Sequence, residues 1–116
     1  MTIKKYKTKA FKHFRHMGYS WRFAAIMARY APMCGGMESS CLEYALAASG
    51  YECFCQYDDT HTAYVNDDKN IVVLLEYDWS GDLKSVFVGR GQSAKSCCET
   101  FHRPFRIDGE AKLSDL

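Results

Sequence analysis

Apolar residues recur at helical spacing along the first third of the chain. From Lys4 to Met17, Tyr6, Ala10, Phe11, Phe14 and Met17 fall on one side of a helix, with Lys5, Lys9, Lys12 and His16 on the other. Gly18 is a natural helix stop and Ser20 a natural N-cap. A second helix follows over Trp21–Tyr30, turning Phe23, Ile26, Met27 and Tyr30 inward, and Pro32 ends it. "APMCGGM" reads as a flexible joint. A third helix opens on a Ser40-x-x-Glu43 capping box and closes at Gly50.

From Tyr51 the period changes to two. "YECFCQY" and "THTAYV" flank an Asp58–Asp59 turn and predict a hairpin. "IVVLLEY" is apolar on both faces, as a central strand is, and "WSGD" turns the chain into "LKSVFV". Ser93–Phe101 predicts a short last helix and "EAKLSDL" a loose tail. The predicted class is α+β: one domain over residues 1–116, with a helical hairpin (1–31) and a third helix packed on a four-stranded antiparallel meander (51–89).

Composition supports a packed core. Of 116 residues, 47% are apolar and 15% aromatic, far from a disordered profile. The longest apolar runs, Phe23–Ala28 and Ile71–Leu75, fall well short of the roughly 20 residues of a membrane span. They also fit no export signal, so a cytoplasmic location with six reduced, mostly packed thiols is the expectation. A basic organelle presequence is the rival reading of the opening.

Charge changes the picture. The first 37 residues hold eight Lys or Arg and no acid, where the chain's average would place about four or five; the remainder holds seven basic and fourteen acidic residues. One explanation is a solvated lysine face. The other is a docking surface for an anionic partner, through Lys5, Lys9, Lys12, Arg15, Arg22 and Arg29, with His13, His16 and Tyr19 among them. A helix-turn-helix fits poorly: bulky Phe14 stands where such motifs want a small residue, and the second helix has few base-reading side chains.

Other chemistry is thinner. Cys53 and Cys55, two apart on one strand, with Cys98 and His102, four apart on the last helix, form a candidate zinc set with Cys97 or His61 as substitutes; packed thiols are the alternative. "GRGQSA" (89–94) matches a phosphate-cradling loop, with Asp108 at ribose distance, but too little chain follows; a glycine-loosened strand end is the plainer reading, leaving Arg90 as an anion contact. Cys34 beside Gly35–Gly36 is a lone nucleophile candidate with no assigned histidine base. Asp58–Asp59 and Asp67–Asp68 suit turns. No hydrolase, metalloprotease or P-loop motif occurs, so a non-enzymatic protein is expected.

"HFRHMGYSWRFAAIMARYAP" (His13–Pro32) resembles the basic helical openings of small phage and mobile-element accessory proteins, through a helix–Gly–Tyr–Ser–helix cadence. That resemblance covers under a fifth of the chain and transfers no site residue. It implies a binding protein that modulates or inhibits a host protein or nucleoprotein, for example a CRISPR–Cas defence complex. As a protein binder it would use Trp21, Trp79 and Tyr57 as anchors if exposed; direct, non-sequence-specific nucleic-acid binding is the alternative.

Overall fold

The computed structural model describes residues 2–58, 60–93 and 105–116. Three helices precede a five-stranded antiparallel sheet, so the class is α+β. The chain divides into two compact units, residues 1–49 with 113–116, and residues 50–112.

In the helical unit, α1 spans Ile3–Met17 and α2 spans Trp21–Tyr30. Local chemistry sets their ends. Thr2 Oγ1 accepts the Lys5 N–H at 3.2 Å, and Ser20 Oγ accepts the Phe23 N–H at 3.1 Å. Gly18 stops α1 at φ +110°, its N–H returning to the Arg15 and Phe14 carbonyls. Phe14 meets Tyr19 edge-on and Tyr19 stacks on Phe23, centroids 5.8 Å apart. All three are buried with Met27, Leu42 and Leu46. The joint after α2 is a run of hydrogen-bonded turns, including Cys34 N–H to Tyr30 O and Gly36 N–H to Ala31 O.

Helix α3 spans Glu38–Ala48 and corrects the predicted start. Its N-cap is Met37, without a side-chain bond, so Ser40 lies within the first turn and the Ser40–Glu43 capping box does not form. Glu38 supplies the acid of that turn and also accepts the Tyr19 hydroxyl at 2.9 Å. Tyr30 and Tyr44 stack at 5.2 Å between α2 and α3.

In the sheet unit, β1 (Glu52–Asp58), β2 (His61–Asn66), β3 (Ile71–Tyr77), β4 (Leu83–Ser93) and β5 (Phe105–Glu110) pair in sequence order. The meander therefore has five strands, one more than predicted. Its extra strand pairs with the glycine-rich end of β4, Gly89 opposite Glu110 and Gly91 opposite Ile107. Strand β3 buries Ile71, Val72 and Val73 in succession, as a central strand does. The β3–β4 turn is tied by Asp78, whose carboxylate accepts from Ser80 and Asp82 N–H at 2.9 and 3.0 Å. Apart from Ser93, which ends β4, the helix predicted over Ser93–Phe101 lies outside the described residues. The C-terminal helical element is instead a single 3-10 turn, Leu113–Asp115, and the following Leu116 is buried where a loose tail was expected.

Candidate functional site

The helical unit carries eight basic and three acidic residues, the sheet unit seven and eleven. Helix α1 has no acid, so its polar face is wholly cationic or neutral. Lys5, Lys9, Lys12 and His16 fall within one third of the helix circumference, and all are exposed. On α2, Arg22 and Arg29 stand two turns apart on one exposed strip. Arg15 is exposed too, and donates to the Tyr19 carbonyl at 2.7 Å, holding the turn between helices. None of the eight bases pairs with Glu38, Glu43 or Asp115, the acids of the same unit.

Three of these cations oppose the helix field. Lys4 and Lys5 sit in the first turn of α1, where unpaired N–H groups already present positive charge. Arg22 repeats this in the first turn of α2. Helix sequences ordinarily put acids there. The stripe is thus maintained against local helix preference, with Thr2 and Ser20 caps offsetting part of the cost.

Aromatic groups flank the cations. Trp21 is 68% exposed and meets Phe11 edge-on at 5.9 Å, joining the two helices. On the other flank of α1, an open groove of about 270 Å³ is lined by Tyr6, Lys9, Ala10, His13, Phe14, Gly35 and Gly36. Gly36 has φ +76°, and a Cβ there would fall 2.6 Å from Tyr6 Oη, so the glycine is what lets Tyr6 lie against this turn.

The remaining candidates separate. Tyr19 is no docking residue: it is fully buried, and burial followed by the Glu38 carboxylate pushes its phenol far up. Arg90 is exposed but belongs to the sheet unit. Residues Gly89–Ser93 are strand, paired to β5, where a phosphate cradle calls for a loop, and Ala94 lies outside the described residues; Asp108 lies in β5. Of the zinc set, Cys98 and His102 lie outside the described residues, as does Cys97. In the backbone register Cys53 pairs with Tyr64 and Cys55 with Ala63, with a bulge between them, and the Cys55 side chain lies outside the described residues. Among the described residues no cluster of three His, Cys, Asp or Glu could hold a metal. Cys34 is half-buried, and its neighbour is the buried Cys41; burial, then the Cys34 thiol, pushes Cys41 up to about 11.

One polar row escaped sequence reading. His61 Nδ1 lies 2.9 Å from Thr60 Oγ1 and its Nε2 lies 3.2 Å from Glu76, which accepts from Ser85 at 3.1 Å. His61, Glu76 and Ser85 are register partners across three strands. That makes the row a cross-strand ladder. Trp79, at the tip of the β3–β4 turn, is 96% exposed, while the Tyr57 side chain lies outside the described residues.

Among the described residues no helix is long and apolar enough to cross a membrane. Comparison with known proteins finds no matching family model, no similar curated protein and no similar solved structure.

Proposed function

We propose that this is a non-enzymatic binding protein that docks its helical unit on the anionic face of a partner, a nucleoprotein complex being the class that fits best. The observation carrying this reading is the set of eight bases left uncompensated within their own unit, two of them held at the wrong pole of α1. A lysine face kept only for solubility does not require positions that oppose the helix field. Trp21, exposed beside Arg22, adds an aromatic anchor to the charge. The likeness of His13–Pro32 to phage accessory proteins supports a host or defence complex as the partner, modulated by occupancy.

The test compares two charge-matched variants on immobilised heparin. Lys5→Glu/Lys9→Glu/Lys12→Glu alters the α1 stripe; Lys69→Glu/Lys84→Glu/Lys112→Glu makes the same charge change in the sheet unit. The wild type and the sheet variant are expected to be retained at physiological salt, and the α1 variant to be lost. Equal loss from both variants would reduce the effect to net charge and overturn the reading.

A further inference from the structure

Resting on that docking surface, we infer that the groove beside α1 takes one unstacked base of a single-stranded nucleic acid while Lys5, Lys9 and Lys12 hold the adjacent phosphates. The groove's size comes first. At about 270 Å³ it lies just under the roughly 300–1,000 Å³ that accommodates drug-sized ligands, so it has room for a single ring system. Its lining has the needed chemistry. Half-buried Tyr6 gives aromatic surface, the buried Phe14 adds an apolar wall, and His13 offers a ring nitrogen that donates or accepts, suited to a base edge. Lys9 belongs both to the groove and to the exposed stripe, so a ligand seated in one meets the other.

The stripe supplies a track. Lys5, Lys9 and Lys12 follow one another at about one helical turn, spanning roughly 10 Å of axis at about 1.5 Å per residue. Each nucleotide of a single strand brings one ring and one negative charge, the pairing that this groove and stripe require. In a duplex the ring faces are stacked inside, out of the groove's reach. An acidic peptide brings charge at many positions and a ring only occasionally. The glycine turn is part of the construction: with a side chain at Gly36, Tyr6 is displaced and the groove changes shape.

Fluorescence anisotropy with the full chain decides the matter, using labelled oligothymidylate, a duplex of equal length, and an abasic strand with the same phosphates. Oligothymidylate is expected to bind about tenfold or more tightly than either competitor, from base stacking. Ala10→Phe, which fills the groove without touching charge, is expected to erase that preference and leave the salt dependence intact. If that variant misfolds by circular dichroism, the wild-type comparison of thymidylate with abasic strand stands alone. Equal binding of all three probes would overturn the base site while leaving charge docking in place, provided the α1 variant still loses heparin. Absence of binding to any strand at low salt, or tighter binding of an acidic tryptophan-containing peptide than of oligothymidylate, would overturn it in favour of a protein ligand.

Discussion

Lys5→Glu is expected to make the protein more stable and a poorer binder at once. Lys5 is the third residue of α1, and its N–H already bonds the Thr2 hydroxyl. A glutamate there completes the Thr-x-x-Glu capping box, its carboxylate reaching back to the Thr2 N–H. Removing a cation from the positive helix end and installing an anion contributes about 0.3–1 kcal/mol each. An i,i+4 pair with Lys9, acid N-terminal to base, adds about 0.2–0.5 kcal/mol. Exposure and salt screening at a fraying end argue for the lower part of that range, about 1 kcal/mol. For a chain of this length that is roughly 3–6 °C in melting temperature. Lys5→Met, which removes the cation without forming the box, should give about half. Thermal melts followed at 222 nm at low and physiological salt provide the readout. In parallel, the salt slope of polyanion binding should fall by about one. An unchanged or lower melting temperature together with unchanged binding would refute the claim that Lys5 is kept for its charge against the helix.

Alkaline pH should weaken the helical unit. Burial, then Cys34, raises Cys41 to about 11, and burial, then Glu38, raises Tyr19 as well, so the folded state keeps protons that the unfolded chain releases from about pH 8.5–10. Stability from these groups is full below about pH 8.5 and declines as pH rises through the folded values. Urea unfolding across that range should show the decline, Tyr19→Phe should reduce it, and a flat profile to about pH 10.5 would contradict both burials. Gly89→Ala should loosen the outer strand pair: a Cβ would fall 2.9 Å from Phe87 Cε1 and 3.1 Å from Ile107 Cγ2. The ring tip can yield, so the cost is about 1–3 kcal/mol, read as faster amide exchange over Phe105–Glu110 with β2–β3 unchanged.

What the sequence made legible is what local chemistry decides. The spans of α1 and α2 follow from periodicity, Gly18, Ser20 and Pro32, and β3 from its apolar run. The cationic stripe follows from the same helical period. Failures occur where a distant partner intervenes. Ser40-x-x-Glu43 matches a capping box, yet α3 begins earlier, where Glu38 receives the hydroxyl of Tyr19 from nineteen residues upstream. That same bond, with aromatic packing, removes Tyr19 from the surface. Strand β5 hides because its alternation is brief and its partner segment is glycine-rich, a composition that argues for loop until Phe105–Glu110 lies beside it. The groove was illegible for a related reason, since the Gly35–Gly36 turn meets α1 across more than twenty residues of sequence.

The two units handle charge by opposite means. In the sheet unit charge is locally employed: Asp78 ties a turn, Asn66 caps the Lys69 N–H at 3.1 Å, and Glu76 joins His61, Lys84 and Ser85 across strands. In the helical unit the acids are few and Glu38 is committed to Tyr19, while the bases face outward. Like charges along α1 repel, and those in its first turn also oppose the dipole, so the unit holds together through its caps and the Phe14–Tyr19–Phe23 aromatic cluster. Where dipole and charge pairing would both be improved by one acid and α1 has none, the anionic partner proposed above would supply the missing interaction. An anion on the Lys5–Lys12 stripe would satisfy both terms together, so ligand binding should stabilise the helical unit in proportion to the field that it neutralises.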